Sequence, residues 1–398
     1  SHVNINGEVM EITEDLRQQM RKVNRRLNEQ GMRVLTVATR KDAHSDAVYS
    51  VADEKEMTII GFMGFLDPAK KSAATAIHSL QGHGVNVKVL TGDNEIVAQK
   101  VCSDVGIDAQ RFLLGTDIDQ MSDEELASVT EEVNLFAKLH PMQKSRIIAA
   151  IQSKGHTVGF MGDGINDAPA LRMADVGISV DTAADITKDA SSIILLEKSL
   201  DVLDYGVVEG RRVFSNIMKY IKITISSIFG IVFSILTASA FLPFLPMLSM
   251  QLLVQNLIYG IAQLTIPWDN VDEEELEKPV KWQIGGLLKF TLCIGPVSSL
   301  FDILTFVVLW FVFSANTVAD QALFQAGWFM IGLVTQILVV HVVRTKKLPF
   351  IQSIASWPVI VSSLAAIGVA FVIILTPLRQ MFDFAKLFHN SQLEFITE

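Results

Sequence analysis

The fold of the first half of this chain is decided by the stretch Gly162-Asp163-Gly164-Ile165-Asn166-Asp167-Ala168-Pro169-Ala170-Leu171. It follows an apolar run at 157–161, which is typical of a buried strand, and Ala168–Met173 has the pattern of a helix. Asp163 and Asp167 lie four residues apart across a glycine-containing loop, and carboxylates so placed suit a hard cation such as Mg²⁺. Asn166 adds a neutral donor for a phosphate oxygen. The loop is therefore predicted to hold a metal ion and a phosphate.

Further strands and a helix flank this stretch. The run at 85–90 and Val176–Val180 have the composition of strands, and 95–105 has that of a helix. Strands that alternate with helices predict an α/β domain with a doubly wound parallel sheet. Ligands of such sheets bind at the carboxyl ends of the strands, which is where 91–93 and 162–167 both lie.

The loop Thr91-Gly92-Asp93 offers a hydroxyl and turn amides, and its glycine lets the backbone approach a phosphate closely. Lys144, three residues after Pro141, offers a point charge that can neutralise a transferring phosphoryl group. We expect the tips of two neighbouring strands to bring Thr91 and Asp163 to one point, where a magnesium-bound phosphoryl group would rest.

Charge and cysteine content exclude several classes of protein. The 33 basic and 43 acidic residues leave a net charge of −10, which argues against a nucleic-acid-binding protein. The two cysteines, Cys102 and Cys293, are far apart in the chain, which excludes a disulfide framework and a cysteine zinc site. The charges are uneven, because residues 213–398 hold only 10 basic and 11 acidic side chains.

This second half contains apolar runs long enough to span a membrane, since about 20 helical residues cross a bilayer core of about 30 Å. Five spanning helices are predicted, at about 220–242, 249–268, 287–313, 326–343 and 357–376. The alternative is a set of buried helices in a large soluble protein. Five such runs in succession exceed ordinary helix lengths, so the membrane interpretation is favoured.

The positions of basic residues predict the orientation of these helices. Basic residues occur before the first run and in alternate loops after it: Arg211, Arg212, Lys219, Lys222, Lys278, Lys281, Arg344, Lys346 and Lys347. The loops at 241–247 and 314–325 hold none. Because Lys and Arg accumulate in cytoplasmic loops, we expect the first half of the chain to face the cytoplasm and the tail after residue 376 to lie on the far side.

The motifs of the first half resemble the phosphorylation domain of P-type cation ATPases, which belongs to the haloacid-dehalogenase-like phosphotransferases. The resemblance rests on Thr91-Gly92-Asp93, on Pro141 with Lys144, and on 162–171. Asp67-Pro68 resembles the hinge motif that opens this domain. The stretch 31–35 resembles the closing strand of the nucleotide-binding domain, which implies that Arg33 approaches an ATP phosphate.

The membrane half resembles the magnesium-transporting class of this family in bacteria. The matching stretches are 241–247 (FLPFLPM), 255–259 (QNLIY), and Ile266-Pro267 with 269–272 (DNVD). The implied organisation is the end of a nucleotide-binding domain at 1–58, a phosphorylation domain at 59–208 and a five-helix transmembrane domain at 209–398. The implied activity is ATP-driven transport of Mg²⁺ across the cell membrane through an aspartyl-phosphate.

The resemblance also implies a role for each motif residue. Asp163 would bind the catalytic Mg²⁺ with Asp167 beside it. The residues implied to hold the phosphoryl group and to shape its pocket are Thr91, Gly92, Asp93, Lys144 and Asn166. ATP and Mg²⁺ are the implied cofactors, and the implied partners are the transported cation and the lipid bilayer.

Two departures from the family pattern qualify this interpretation. The family's nucleophile lies in an Asp-Lys-Thr-Gly-Thr motif, which does not occur in these 398 residues. We therefore expect the chain to be a C-terminal portion that lacks its N-terminal part and cannot phosphorylate itself. In the transport path, Ile228, Ile231 and Gly260 stand where the family commonly has two Asn and one Asp. Asn256 remains, and we hypothesise that Mg²⁺ transport by the parent protein is weak or absent.

Two alternatives remain open. The chain could be a non-catalytic remnant or the partner of a split gene, stable in the membrane but inactive alone. It could also be a membrane-anchored phosphatase of the haloacid-dehalogenase type. Such a phosphatase needs a nucleophilic aspartate after a strand. Asp117-Ile118-Asp119 matches the Asp-x-Asp pattern of such a nucleophile, but it lies between the motifs at 91–93 and 162–167 rather than ahead of them.

Overall fold

A computed structural model of the chain describes residues 2–40, 50, 54–279 and 284–386. Lys281 of the predicted basic loop and residues 387–398 of the tail lie outside the described residues. The chain forms two compact units, Ser1–Gly206 and Val207–Glu398, which are described one at a time. The predicted domain limits at 58 and 208 stay predictions.

The first unit opens with a four-stranded sheet in the order β2-β1-β4-β3. Its strands are β1 (His2–Ile5), β2 (Glu8–Glu11), β3 (Met32–Thr39) and β4 (Thr58–Leu66). The helix α1 (Glu14–Glu29) lies between β2 and β3 in the chain and contacts β3. Asn6 and Gly7 join β1 to β2, and both have positive φ angles, 53° and 97°, which is the conformation that a tight Asn-Gly hairpin requires. Arg33 lies opposite Phe65 in the antiparallel pair of β3 and β4.

Six short parallel strands follow, with a helix or turn between successive strands. The strands are β5 (Val89–Leu90), β6 (Phe112–Leu114), β7 (Leu135–Ala137), β8 (Gly159–Met161), β9 (Val176–Val180) and β10 (Ile193–Leu195). The helices are α2 (Lys71–Gly82), α3 (Glu95–Asp104), α4 (Gly115–Gln120), α5 (Asp123–Val129), α6 (Pro141–Ser153), α7 (Ala168–Met173) and α8 (Asp185–Asp189). The parallel pairing and the alternation of strand and helix agree with the predicted α/β class.

The strands form two sheets rather than the single sheet expected. Their orders are β5-β7-β6 and β10-β9-β8. Thr91 and Asp163 therefore do not follow neighbouring strands, and that expectation was wrong. The two sheets are separate because, among the strands that the structure describes, β5 pairs only with β7 and β8 pairs only with β9. The central strand β7 is fully buried, whereas the residues of β5 are partly exposed.

A cluster of fully buried side chains fixes the helix that carries Lys144. Ile118, Leu126, Phe136 and Ile147 each have 0 % exposure and pack together in this cluster. The helix α6 starts at Pro141, whose fixed φ suits the first turn of a helix. The packing therefore holds the first turn of α6 at a fixed place beside β7.

The second unit is helical. Its helices, the first of which begins before the boundary at residue 206, are α9 (Leu200–Phe241), α10 (Ser249–Gln263), α11 (Glu273–Glu277), α12 (Ile284–Phe311), α13 (Gln321–Val343) and α14 (Trp357–Leu375). Phe324, Trp328 and Phe329 of α13 are at most 1 % exposed, so α13 lies in the core of this unit. Phe306 of α12 stacks on Phe324, with the ring centroids 5.5 Å apart.

Four helical stretches of the described chain are long and apolar enough to cross a membrane: Leu200–Phe241, Gly285–Phe311, Val318–Val343 and Trp357–Leu375. The second predicted span is shorter than expected, because α10 has 15 residues and is followed by a 3₁₀ turn, Ile266–Trp268, that contains Pro267. At about 1.5 Å per residue, α10 is shorter than a bilayer core of about 30 Å. A fifth span stays a prediction.

A buried ion cluster joins α9, the loop after α10 and the end of α13. Oδ2 of Asp269 lies 3.1 Å from Nζ of Lys219 and 2.8 Å from Nε of Arg344. Asp269 is only 3 % exposed, and the backbone N–H of Ser356 donates a further hydrogen bond to its Oδ1 atom. One carboxylate thus links four segments of the second unit.

Candidate active site

The best-defined contact of the site is an ion pair between α6 and the loop after β8. Nζ of Lys144 lies 2.7 Å from Oδ1 of Asp167, and the two side chains are 14 % and 13 % exposed. Gln143, the residue before Lys144, closes the first turn of α6 by accepting a hydrogen bond from the backbone N–H of His140. Its side-chain amide also donates to the carbonyl of Gly115. The lysine is therefore presented from a helix end that is held on both sides.

The loop that carries Asp167 is shaped by close contacts with two glycines. The backbone N–H of Gly164 donates to Oδ2 of Asp167 at 3.3 Å. A Cβ atom added at Gly162 would lie 2.8 Å from Oδ2 and from Cβ of Asp167, too close for any larger residue. The hydroxyl of Thr187 donates to the carbonyl of Gly164 and braces the loop from α8. Gly162 is thus required by the packing of Asp167 and not by its own backbone angles.

The second carboxylate of this loop is more exposed. The Asp163 side chain is 54 % exposed, and its Oδ2 atom lies 2.6 Å from Nζ of Lys198. Asn166 is exposed as well. Lys198 stands outside every motif that the sequence offers, so pattern analysis missed it.

The donor set fits Mg²⁺ better than any transition metal. The loop offers carboxylate oxygens from Asp163 and Asp167, and Mg²⁺ is commonly bound by one or two carboxylates together with waters and phosphate oxygens. No group of three or more His, Cys, Asp or Glu residues that could hold a metal occurs in the described part of the chain. A complete protein cage is therefore not formed by these residues, and phosphate oxygens and waters would complete the shell.

The loop after β5 forms a tight turn around the Thr91 hydroxyl. Oγ1 of Thr91 accepts a hydrogen bond from the backbone N–H of Asp93 at 3.0 Å and donates to Oδ2 of Asp93 at 3.1 Å. The Thr91 backbone continues the pairing with β7 and its loop, through Phe136 and Leu139. A Cβ atom at Gly92 would lie 3.3 Å from the carbonyl of Leu139, so this turn also favours glycine.

Arg33 of β3 reaches this same turn. Its Nη2 atom lies 2.9 Å from Oδ1 of Asp93, with side chains that are 73 % and 45 % exposed. Arg33, Thr91 and Asp93 therefore form one group, and Lys144 and Asp167 form another. Thr91 and Lys144 lie after strands of the same sheet, β5 and β7, whereas Asp167 lies after β8 of the other three-stranded sheet.

A fourth ion pair supports the turn after β5 and was also missed from the sequence. Nζ of Lys138 lies 2.7 Å from Oε2 of Glu95, and the backbone N–H of Lys138 donates to the carbonyl of Asp93. Burial is the strongest single influence and acts to raise the pKa of Glu95, but the hydrogen bond and charge of Lys138 together with a backbone hydrogen bond outweigh it, so the pKa of this carboxyl is lowered. Glu95 therefore stays charged at the start of α3, where negative charge is favourable.

A separate pocket among the helices of the second unit is lined by both polar and apolar residues. Ser226 and Ile231 of α9, Tyr259 of α10, Asp302 of α12 and Gln336 of α13 all line it. Ser226 is 2 % exposed, and its hydroxyl has no hydrogen-bond partner within the described residues. Polar groups at membrane depth are costly and are usually functional.

Asp302 is held by two donors at this pocket. The hydroxyl of Ser234 donates to Oδ2 at 2.6 Å, and Nε1 of Trp328 donates to Oδ1 at 3.0 Å. Each carboxylate oxygen therefore accepts one hydrogen bond from a neighbouring helix.

The four residues predicted for the transport path lie in different surroundings. Ile231 lines the pocket, whereas Ile228 is 57 % exposed and Asn256 and Gly260 are also exposed. A Cβ atom at Gly260 would meet nothing within 4 Å. The prediction that these positions form the path stays a prediction.

Comparison with known families assigns both halves of the chain. Residues 4–175 match the family model for haloacid dehalogenase-like hydrolases, and residues 244–393 match the model for the cation-transporting ATPase C-terminus. The chain is 51 % identical over 378 residues, 95 % of its length, to "Magnesium-transporting ATPase, P-type 1" of Escherichia coli K12. This chain belongs to the P-type cation-transporting ATPases.

Other P-type ATPases show the same relationship. A protein of the same name from Salmonella typhimurium LT2 is 54 % identical over 383 residues, which are 96 % of this chain and 42 % of that protein. A "Calcium-transporting ATPase" of Bacillus subtilis is 30 % identical over 258 residues, which are 64 % of this chain and 29 % of that protein. The chain spans 42 % of the length of the Escherichia coli relative.

These matches confirm the family, the fold class and the membrane location that the sequence predicted. This P-type ATPase portion has a haloacid dehalogenase-like cytoplasmic half followed by a membrane half. The assignment of individual site residues stays a prediction, which the ion pairs of Lys144 and Arg33 support.

Proposed function

We propose that this chain supplies the phosphate-binding and magnesium-binding part of an ATPase that moves Mg²⁺ across the cell membrane. The observation that carries the proposal is the 2.7 Å ion pair between Lys144 and Asp167, in the loop that also holds Asp163. A fixed ammonium group beside two carboxylates suits a phosphoryl group and its metal ion. Relatives named for magnesium transport at 51 % and 54 % identity support Mg²⁺ as the transported ion.

Each residue of the site would have a separate role in phosphoryl transfer. Lys144 and Thr91 would neutralise and orient the phosphoryl oxygens, and Asn166 would donate a further hydrogen bond. Asp163 and Asp167 would hold Mg²⁺, which when bound neutralises phosphate charge. Arg33 would contact a phosphate of ATP, and its 2.9 Å contact with Asp93 supports a position near the Thr91 turn.

The nucleophilic aspartate is proposed to come from a strand that pairs with β5 and β8, supplied by the N-terminal portion of the pump. Each of these strands has a neighbour on one side only among the described strands, and each is followed by a site loop. An edge strand presents unpaired N–H and C=O groups that can accept another strand. A parallel strand between the two would bring its carboxyl end between Thr91 and Asp163. This arrangement would restore a single sheet.

The experiment is complementation by a separate segment. The part of the Escherichia coli relative that carries Asp-Lys-Thr-Gly-Thr would be produced together with this chain in membranes, and the membranes labelled with γ-³²P-ATP. We expect an acid-stable, hydroxylamine-sensitive phosphoprotein that needs both polypeptides. Label on this chain alone would instead support the phosphatase alternative and overturn the proposal.

Two matched variants sharpen this experiment. Lys144→Gln should abolish labelling, because it removes the ammonium group from the phosphate site. Lys154→Gln alters a lysine at the far end of the same helix and should leave labelling unchanged. Equal labelling of both variants would contradict the assigned role of Lys144.

A second candidate, a non-transporting remnant, is favoured by the composition of the transport path. Ile228, Ile231 and Gly260 offer no side-chain oxygen to a cation. Mg²⁺ loses its hydration shell reluctantly and needs strong oxygen ligands in exchange. If the complemented protein forms the phosphoprotein but moves no Mg²⁺ into vesicles, the remnant function is supported.

A further inference from the structure

An exposed lysine lies against the proposed metal ligand. Lys198 belongs to the segment between β10 and α9, and its Nζ atom lies 2.6 Å from Oδ2 of Asp163. The carbonyl of Lys198 accepts a hydrogen bond from Nζ of Lys70, at 2.6 Å. The backbone from which the Lys198 side chain extends is therefore held in place, while the side chain itself is 56 % exposed.

The two lysines of the site differ in their surroundings. Lys144 is 14 % exposed and is fixed by the first turn of α6, whereas Lys198 reaches Asp163 through solvent from a loop. A flexible, hydrated ammonium group can leave an exposed carboxylate at little cost. The contact of Lys198 with Asp163 is thus reversible in a way that the contact of Lys144 with Asp167 is not.

We propose that Lys198 is a built-in counter-ion that competes with the divalent metal for Asp163. The ammonium group occupies one carboxylate oxygen and neutralises its charge, so a metal ion must displace it and then meets a positive charge close by. Lys198 is a positioning and regulatory residue rather than a catalytic one. The inference rests on the proposed function, because it concerns the same carboxylate.

The contact also connects the metal ligand to two other parts of the first unit. Lys70 follows the Asp67-Pro68 motif by two residues, and Lys198 precedes α9 by two residues. Movement of either segment would shift the anchored backbone of Lys198 and change how well its ammonium group reaches Asp163. Metal affinity would therefore respond to the position of these segments.

The test measures metal binding directly, without phosphorylation. Mn²⁺ would be titrated into the full chain in detergent, and free Mn²⁺ would be followed by electron paramagnetic resonance. Lys198→Gln removes the charge and shortens the side chain by one atom, and we expect it to tighten Mn²⁺ binding by about two- to fivefold, as suits an exposed pair. Lys198→Arg keeps the charge and should bind Mn²⁺ as the unaltered chain does.

Two controls separate competition from a general charge effect. Lys100→Gln breaks the exposed pair with Asp104 on α3 and changes the net charge by the same amount, so it should leave the affinity unchanged. Asp163→Asn should weaken Mn²⁺ binding and remove the gain from Lys198→Gln in the double variant. A gain in Lys100→Gln equal to that in Lys198→Gln would overturn the inference.

The remaining outcomes distinguish a failure of the competition from a failure of the metal site. If Asp163→Asn weakens binding while Lys198→Gln leaves it unchanged, the competition is refuted and the metal site stands. If Asp163→Asn leaves binding unchanged, the metal site of the proposed function is refuted and the competition with it. Tighter binding by Lys198→Arg would also refute competition, because the charge is retained.

Discussion

Nζ of Lys144 lies 2.7 Å from Oδ1 of Asp167, and both side chains are largely buried between α6 and the loop after β8. This pair joins a helix that follows β7 to a loop that follows β8, and so links residues from the two three-stranded sheets. It gives the site a fixed positive charge next to a fixed negative one. Its removal should therefore affect folding as well as chemistry.

Lys144→Met is expected to lower the free energy of unfolding of the first unit by about 1–3 kcal/mol, since it leaves a largely buried carboxylate without its cation. Urea unfolding, followed by circular dichroism, measures this change. Lys154→Met at the exposed end of α6 should have a much smaller effect. Equal losses in the two variants would show that the pair with Asp167 does not stabilise the fold.

Gly162→Ala should disrupt the loop, because its Cβ atom would lie 2.8 Å from Asp167 atoms. We expect a loss of about 1–3 kcal/mol in unfolding free energy from this overpacking, and loss of phosphoprotein in the complemented protein. Gly159→Ala in the preceding strand β8 is the matched control, since the nearest neighbours of its Cβ atom would be 3.9 Å away. If both variants unfold at the same urea concentration, the Cβ atom at residue 162 does not overpack the loop.

Asp269→Ala should strongly destabilise the second unit. It leaves the buried groups Lys219 and Arg344 without their shared anion, and breaking a buried pair in this way costs about 3–5 kcal/mol. The thermal unfolding of the detergent-solubilised chain, followed by tryptophan fluorescence, should move to a clearly lower temperature. Glu273→Ala, at an exposed position of α11, should leave it unchanged, and a similar shift in both would contradict a special role for Asp269.

The stability of the first unit should fall in acid through Asp175. Hydrogen bonds from the backbone N–H of Val158 and from the Gln152 side chain lower the pKa of this carboxyl below its ordinary 3.8. Because the pKa is lower in the folded state, the stabilisation is complete above pH 3.8 and is lost as the pH falls through the folded-state pKa. Urea unfolding at several pH values should show Asp175→Asn less stable than the unaltered chain near neutrality, with the gap closing below pH 3.8. A gap that is constant with pH would refute the assignment.

Restoring polar residues to the transport path should raise Mg²⁺ transport. The triple variant Ile228→Asn, Ile231→Asn and Gly260→Asp supplies the side-chain oxygens that a dehydrated Mg²⁺ needs. Space is available at Gly260, where an added Cβ would touch nothing within 4 Å. Uptake of Mg²⁺ into vesicles by the complemented protein measures the effect, with Ile225→Asn on the exposed side of α9 as control. A high rate in the unaltered protein, or no gain in the variant, would contradict the hypothesis.

Local sequence signals predicted the elements near the site well. The helix Ala168–Met173 and the strand Val176–Val180 have the predicted bounds, because Pro169 and a compact apolar run determine them locally. The sequence Ser122-x-x-Glu125 forms both hydrogen bonds of a capping box at the start of α5. Such features depend on residues a few positions apart, which a sequence displays directly.

Long-range arrangements were harder to predict. The strand expected at 85–90 is reduced to Val89–Leu90, since its pairing depends on β7, whose residue Leu135 lies 46 positions after its partner Val89. The helix α9 begins at Leu200 rather than near 220, because hydropathy marks the apolar part of a helix and not its polar start. The contact of Lys198 with Asp163 joins residues that are 35 positions apart, and Lys198 belongs to no motif, so the sequence pattern does not predict this contact.

Among the described strands, β5 and β8 each pair on one side only, which affects how the polypeptide behaves before the proposed N-terminal strand pairs with them. The unpaired amide and carbonyl groups of a strand edge can form hydrogen bonds with another extended chain, including a second copy of the same protein. Cells that make this chain alone would therefore depend on chaperones or proteases to limit aggregates. If the proposed strand is correct, simultaneous synthesis with the segment that carries it should protect the chain by pairing with β5 and β8.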